Sequence, residues 1–312
     1  MKKLSFVIPC YGSELTLEEV IRELIDTVHN KSEYEYEIIL VNDCSPDNVS
    51  KKISLLCQKY NNIISIDLAR NFGQHAALMA GYSYCTGEIV ISLDDDGQTP
   101  IDEVFSLIDK LGEGYDVVYG SFNEKKHNSF RNFGSHINDL MAEVLIDKPK
   151  DLKVSSYFVA RKFIIDEILK YKNSYPYILG LILRSTRNIC DVQVNHRRRI
   201  HGTSGYSFKK LLSLWLNGFT AFSVKPLRSA TIIGFICALI GFLFGSYTVI
   251  HKLLNPSTPA GYSSLMAVIL FIGGMIMLML GLIGEYIGRI YISINNSPQY
   301  VIRETNEKNN EL

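Results

Sequence analysis

The stretch Ile91-Ser92-Leu93-Asp94-Asp95-Asp96-Gly97-Gln98-Thr99-Pro100 decides how the rest of the chain is read. Glu88 to Leu93 is a short apolar run of β-branched type, which reads as a buried strand. It runs straight into three carboxylates, a glycine and an amide, then stops at Pro100. In an open α/β sheet, ligands bind at the carboxyl ends of the strands. Mg²⁺ and Mn²⁺ take oxygen ligands and commonly share them with a substrate's phosphates. Asp94, Asp96 and Gln98 alternate, so an extended backbone would turn all three toward one side. An isolated acidic loop is ordinarily a solvated turn; the place of this one at a strand end points to a metal–diphosphate site.

The same strand-then-loop pattern recurs on either side. Leu4 to Ile8 reads as a strand ending at Pro9, and Leu15 to Val28 as a helix with Leu17, Val20, Ile21, Leu24 and Ile25 on one face. Glu37 to Val41 is a second strand with a polar exit, Asn42 to Asp47, and a helix follows to Tyr60. Ile63 to Leu68 is a third strand and Phe72 to Tyr84 a helix. Beyond the acidic loop come a helix over Ile101 to Leu111 and a strand over Asp116 to Tyr119. Strands alternating with helices predict βαβ units and a mostly parallel sheet covered on both faces. Neither a G-x-G-x-x-G after the first strand nor a G-x-x-x-x-G-K-[ST] occurs, which leaves a metal as the expected diphosphate anchor.

Lys and Arg together balance Asp and Glu at 32 each, so no global charge argues for nucleic acid. The six cysteines form no C-x-x-C pair and read as reduced thiols in a reducing cytosol. Pro9 and the polar Tyr11-Gly12-Ser13-Glu14 cut the first apolar run too short for a signal peptide, so it reads as a strand. Mean hydropathy is slightly positive, and the apolar excess sits after residue 229.

His196-Arg197-Arg198-Arg199-Ile200-His201-Gly202-Thr203-Ser204-Gly205-Tyr206 is a second chemical constellation. Arg makes forked bonds to phosphate oxygens, Gly permits close backbone approach, and the hydroxyls add neutral donors. Read alone, such a run is a solvated face or a membrane-surface patch. Lys209 to Phe222 is amphipathic and holds the single tryptophan, Trp215, as an interfacial helix would. Ala230 to Ile250 and Ser263 to Leu282 carry no charge, and each is long enough to cross a bilayer core of about 30 Å. They predict a transmembrane hairpin joined by His251 to Tyr262. Lys209, Lys210, Lys225 and Arg228 precede it and Arg289 and Arg303 follow, which puts both ends in the cytoplasm. Glu285 and Arg289, four apart, read first as a helical salt bridge. The tail from Glu304 reads as polar and unstructured.

Four motifs occur in order: Pro9-Cys10-Tyr11, Val41-Asn42-Asp43-Cys44-Ser45-Pro46-Asp47, Ala69-Arg70-Asn71-Phe72-Gly73 and Asp94-Asp95-Asp96-Gly97-Gln98. Together they resemble the inverting family 2 glycosyltransferases of GT-A fold, and within them the polyprenyl-phosphate glycosyltransferases. The resemblance covers nearly the whole chain. It implies a Rossmann-like, mostly parallel sheet followed by an interfacial helix and two transmembrane helices. The implied divisions are a cytoplasmic catalytic domain over 1–205, an amphipathic helix over 206–228, a hairpin over 229–290 and a tail over 291–312. Carried over by position, Pro9, Tyr11 and Asp43 would line the nucleobase pocket, with Glu14 and Asp95 counted in the nucleotide-sugar site. Asp94 would face the ribose or diphosphate, while Asp96 and Gln98 would hold Mg²⁺ or Mn²⁺. Arg131 matches an arginine near the acceptor. Arg199, Ser204 and Tyr206 match the segment that closes over the phosphates. Val154 to Phe158 matches a strand where relatives carry an acid proposed as base; Ser155 and Ser156 stand there, leaving Asp151 upstream as a substitute candidate.

These residues imply a metal-dependent transferase in the cytoplasmic membrane. Its donor would be a nucleotide diphosphate sugar, UDP-linked glucose or a related hexose, and its acceptor a polyprenyl phosphate. The lipid bilayer and further copies of the chain, as a homo-oligomer, complete the implied partners, with no nucleic acid. A processive polysaccharide synthase is a rival, but its Q-x-x-R-W motif is absent. A hydroxyl-acceptor polysaccharide transferase and a non-enzymatic module partnering a lipid-linked-sugar flippase are the others.

Overall fold

Strand β1 (Lys2–Cys10) is apolar on both sides because both sides are covered. Leu4, Phe6, Ile8 and Cys10 point into one core, against Leu17, Val20, Ile21 and Leu24 of helix α1 (Leu17–His29). Val7 points the other way, toward helix α3 (Gln74–Tyr82). This is the period-2 alternation of a strand with helices on each face. The computed structural model describes residues 1–122, 143, 148–195, 197, 225–254, 261–295 and 297–306.

The remaining elements of the sheet unit are β2 (Tyr34–Asn42), α2 (Val49–Lys59), β3 (Ile63–Leu68), β4 (Ile89–Ser92), a 3-10 turn (Ile101–Glu103) with α4 (Val104–Gly112), and β5 (Val117–Phe122). Then follow β6 (Phe158–Arg161), α5 (Lys162–Leu169), α6 (Ile178–Ser185), β7 (Ile189–Val194) and, late in the chain, β8 (Ile302–Thr305). The sheet has eight strands in the order β7-β5-β6-β4-β1-β2-β3-β8. β4, β1, β2 and β3 are mutually parallel, as are β5 and β7; β6 and β8 run antiparallel to their neighbours. The chain winds outward from β1 to β2 and β3, then crosses back to place β4 on the other side. Between β1 and β4 lies the switch point where open α/β sheets bind ligands.

Contacts divide the chain into two units, Met1–Ser207 with Ser297–Leu312, and Phe208–Asn296. The second contains helices α7 (Lys225–Leu254) and α8 (Tyr262–Ile294). Within α8, Phe271–Gly288 is long and apolar enough to cross a membrane; in α7 the apolar stretch Ile232–Tyr247 is shorter. Both expected spans are thus helical, and each helix is longer than its apolar stretch. The interfacial helix expected over Lys209–Phe222 and the Glu285–Arg289 side chains lie outside the described residues.

Four local expectations need correction. β1 continues through Pro9 to Cys10, because Pro9 sits in register opposite Val41 and keeps its place in the strand. The strand expected over Val154–Phe158 begins only at Phe158, since Ser155 and Ser156 make hydrogen bonds outside any ladder. The acidic loop is bent, with Gly97 at φ +72°, so Asp94, Asp96 and Gln98 do not lie along one extended side. The tail is ordered through Asn306. Ile302–Thr305 pairs with β3, and Asn306 seals the pairing through Ser65 N–H donating to its Oδ1 at 2.7 Å.

The amino end of the sheet is held by Glu37, which is 5% exposed. Its carboxylate accepts Ser5 Oγ at 2.6 Å, Thr86 N at 2.6 Å and Thr86 Oγ1 at 2.7 Å, and pairs with Lys3 Nζ at 2.6 Å. Burial alone would raise its pKa, but these donors win and lower it. On the opposite face, α3 lies against the sheet at Gly81. A Cβ there would come within 2.4 Å of Val7 Cγ1 and 3.0 Å of Val41 Cγ2. Gly81→Ala should therefore cost about 1–3 kcal/mol by overpacking, although alanine favours the helix by up to ~1 kcal/mol. Thermal unfolding of the purified variant checks this; an unchanged midpoint would show that α3 can move off the sheet freely.

Candidate active site

The exits of β1, β2 and β4 are built from carboxylates that accept backbone N–H groups. After β4, Leu93 N still bonds Val7 O at 3.1 Å; the chain then bends. Asp95 turns toward the β1 exit, its Oδ2 accepting Tyr11 N at 3.0 Å and its carbonyl accepting Thr16 Oγ1 at 2.6 Å. Burial pushes the Asp95 carboxyl up to about 6. The hydrogen bond from Tyr11 N opposes the rise, and the charges of Asp94 and Asp96 add to it. Asp96 Oδ1 accepts Gln98 N at 3.0 Å, closing a turn on itself around Gly97.

At the β2 exit, Asp43 is 3% exposed, and its two oxygens accept Phe72 N at 2.7 Å and Gly73 N at 2.8 Å. This fixes the Ala69–Gly73 loop that leads into α3; Gly73, at φ +91°, makes the turn. Burial raises the Asp43 pKa against those two bonds. The next residue, Cys44, holds a left-handed φ of +52°, uncommon for a side chain with a Cβ. Asp47 accepts Ser45 Oγ at 2.6 Å, Glu14 N at 2.9 Å and Val49 N at 3.2 Å, while Ser45 Oγ accepts Gly12 N at 2.8 Å. Glu14 in turn accepts Asn48 N at 3.1 Å.

Asp94 faces elsewhere. Its Oδ1 accepts Gln74 Nε2, from the first residue of α3, at 2.9 Å, and its Oδ2 accepts the Ser156 hydroxyl. Ser155 Oγ donates to Gly120 O at 2.7 Å and accepts Tyr157 N at 3.1 Å. Both serines that replace the expected acid are thus engaged. Behind them lies a cavity of about 210 Å³ that includes Gln74, Tyr119, Ser156 and Tyr177 in its lining. Gln98 meets the start of the basic stretch: Arg197 N donates to Gln98 O at 3.3 Å, and Gln98 Nε2 reaches Arg197 O at 3.5 Å. Arg197 is pinned there by Glu23 at 2.7 Å and Asp102 at 2.5 Å.

The fold therefore brings Tyr11, Glu14, Asp43, Asp94, Asp95, Asp96 and Gln98 to the loops of one sheet edge, with Pro9 buried at the end of β1. Tyr11 is 51% exposed and presents its ring to solvent. Asp151 is exposed in the turn before β6 and makes no hydrogen bond or ion pair among the described residues. Arg131, Arg199, Ser204 and Tyr206 lie outside them. Sequence reasoning missed Gln74, for which a polar residue opening the helix after Gly73 was the available signal; it named Ser156 and, within the basic run, Arg197, without the partners that the fold gives them.

Among the described residues, no three His, Cys, Asp or Glu side chains are grouped to hold a metal. Asp96 and Gln98 offer hard carboxylate and amide oxygens. Mg²⁺ sites with one or two protein carboxylates complete their shell with phosphate oxygens and water. The donor set fits a cation shared with a diphosphate.

Residues 5–171 match the glycosyl transferase family 2, and residues 225–290 match the GtrB C-terminal hairpin. An undecaprenyl-phosphate 4-deoxy-4-formamido-L-arabinose transferase of Klebsiella pneumoniae is 34% identical over 97% of this chain and 93% of its own length. That of Pseudomonas fluorescens is 32% identical over 96% and 89%. The chain belongs to glycosyl transferase family 2, among its polyprenyl-phosphate glycosyltransferases. Among solved structures, a mycobacterial protein superimposes with TM-score 0.51 at 16% identity, covering 71% of this chain and 75% of its own. Glucosyl-3-phosphoglycerate synthase of Mycobacterium tuberculosis, in complex with Mn²⁺, UDP and phosphoglyceric acid, gives 0.50 at 17%, covering 68% and 74%. At those identities the likeness is one of fold.

Asp43 carries the loop before α3, so Asp43→Ala should strand two half-buried N–H donors at a cost on the order of 2–3 kcal/mol. Asp43→Asn should cost less, because its amide oxygen still serves one of them. Denaturant titration of the three proteins gives that order if Asp43 acts through the loop.

Proposed function

We propose that this chain transfers one sugar from a nucleotide diphosphate sugar to a polyprenyl phosphate at the cytoplasmic face of a membrane. The observation that carries the reading is the acidic loop Asp94–Gln98 at the switch point of the sheet, in a chain matched over almost its full length by undecaprenyl-phosphate sugar transferases. The apolar helices support an anchor: Phe242 and Phe271 are 72% and 61% exposed, a surface suited to lipid. A lipid acceptor cannot leave the bilayer plane, so an anchored chain is held at the same membrane as its acceptor. We take the donor to be UDP-linked. The glucose-type hexose read from the sequence and the formamido-pentose of the relatives are the two sugars to separate.

Tyr11 offers an exposed ring for a base, and Asp94 a carboxylate for ribose or sugar hydroxyls. A divalent cation held by Asp96 and Gln98 would neutralise the departing diphosphate. The acceptor needs little activation. A phosphate monoester has a second pKa near 6, as in phosphoserine, so it is largely dianionic at pH 7. Its oxygen forms the new bond to the anomeric carbon as the bond to the diphosphate oxygen breaks on the opposite side, which inverts the centre. No proton has to be removed, which suits a chain whose Ser155 is bonded to Gly120 and whose Asp151 stands exposed. Arg199, Ser204 and Tyr206 would orient the phosphate and exclude water.

The test is transfer of labelled sugar into an organic phase by purified protein, polyprenyl phosphate and a donor panel. Asp96→Asn should nearly abolish turnover while leaving thermal unfolding unchanged, and full activity of that variant after chelation would end the metal reading. Arg199→Lys should fall with Arg199→Ala, since an ammonium does not reproduce the guanidinium fork. In wild type, kcat/KM should rise through the acceptor's own pKa, about 6, and then stay flat. Asp151→Asn should lose less than about tenfold, short of the 10²–10⁴ that general-base catalysis contributes. Near-complete loss with substrate binding intact would make Asp151 the base.

A further inference from the structure

The last strand of the sheet is irregular where it passes the loop 69–73. Leu68 lies opposite Ile302 and Asp67 opposite Glu304, so one step along β3 is matched by two along β8, and Arg303 is left over between them. This is a β-bulge, a feature that re-aims a side chain and recurs beside functional sites. Here it aims Arg303 at the loop. Arg303 Nη2 donates to Ala69 O at 2.8 Å, while Ala69 N donates to Val301 O at 2.8 Å. Ala69 stands one residue past the end of β3, so both of its main-chain groups are tied to the tail beyond the ladder. At the far end of the same loop, Asp43 accepts Phe72 N and Gly73 N. Only Arg70 and Asn71 separate the two grips, and both are exposed.

The Arg303 bond is not needed to attach β8. Ile302, Glu304 and Thr305 pair with β3, and Asn306 closes the other end, accepting Ser65 N at 2.7 Å and donating to Ile63 O at 3.2 Å. Upstream, Gln299 Nε2 donates to Asn173 O at 3.0 Å, and Ser174 Oγ donates to Ser297 O at 2.7 Å. The tail is seated with or without the guanidinium. What Arg303 adds is a charge-assisted contact with a carbonyl outside the ladder. A charge that served only to orient the apolar helices would be free to stay in water. The loop it touches leads straight to the acidic one: Gln74, next after Gly73, donates to Asp94 Oδ1 at 2.9 Å. Asp43 and Asp94 are carboxylates that the transferase reading gives to the donor.

We propose that Arg303 is a positioning residue for the donor site: through Ala69 it sets the loop 69–73, and through that loop the placing of Asp43 and Gln74. The proposal rests on the transferase reading above and adds to it a residue 234 positions away in the chain from the one it holds.

The test uses the purified full-length protein and three variants, Arg303→Ala, Arg303→Lys and Asn306→Ala. Arg303 is exposed, so its variants should fold. Arg303→Ala should weaken UDP binding, read by calorimetry, and raise the KM for the sugar donor, each by about tenfold, the lower value of a hydrogen bond to a charged group. Its kcat and its KM for polyprenyl phosphate should stay close to wild type. Arg303→Lys should recover most of the loss, because the contact uses one nitrogen and an ammonium can supply it. Asn306→Ala loosens the same strand at its other end, so it should lower the thermal midpoint and leave the donor KM where it was. Hydrogen exchange of the peptide 69–74 should quicken in Arg303→Ala alone. Unchanged donor affinity in Arg303→Ala, or an equal loss in Asn306→Ala, overturns the proposal and leaves the transferase standing. Absence of both UDP binding and transfer in wild type would take down the transferase reading and the donor site with it. The exchange measurement still judges the hold on the loop, and equal rates in wild type and Arg303→Ala overturn that hold.

Discussion

Carboxylates accepting backbone N–H groups hold the carboxyl edge of this sheet together. Asp95 takes Tyr11, Asp43 takes Phe72 and Gly73, Asp47 takes Glu14 and Val49, and Glu14 takes Asn48. Parallel strands oblige this arrangement. Their exits all open on one edge, and the loops there have N–H groups that no ladder can satisfy. Charged acceptors bind such donors about twice as strongly as neutral ones. The acids that look like a ligand site in the sequence are therefore largely structural; Asp94 accepts side-chain donors from Gln74 and Ser156 instead of loop N–H groups of the neighbouring exits.

That division was only partly visible in the sequence. The spacing of strands and helices was legible because each depends on neighbours in the chain; β3 matches its expected bounds, and α1, α2 and α4 fall within a few residues of theirs. The acidic loop was legible as the exit of a buried central strand. Its internal roles were not. Asp95 looked like one of three equal carboxylates, but the β1 exit claims it, and that contact spans 84 residues of chain. Ser156 reaches Asp94 across 62 residues, with no periodicity to announce it. The insertion of antiparallel β6 between β4 and β5 was equally hidden, since the order of strands in a sheet leaves no local trace. Pro9 was misread because proline usually ends a strand; here its position costs no hydrogen bond that β1 needs.

The same geometry relates chemistry to stability. Gln74 begins α3, which is seated on the sheet by the missing side chain at Gly81, and its amide holds Asp94. The loop before that helix is gripped from one side by Asp43. From the other it is held by the tail, where Ala69 N donates to Val301 O at 2.8 Å and Arg303 Nη2 donates to Ala69 O at 2.8 Å. A substitution far from the acidic loop can thus reach it through α3.

Strand β8 gives the chain an order of assembly. The residues that close the open side of β3 are made only after both apolar helices, so a nascent chain carries an unpaired sheet edge until the hairpin has been synthesised. Exposed edges recruit other strands. Delivery of the hairpin to its destination and completion of the sheet are thereby coupled in time. A fragment cut before α7 to gain solubility would keep the acidic loop, yet it would permanently show the edge that the full-length chain hides last.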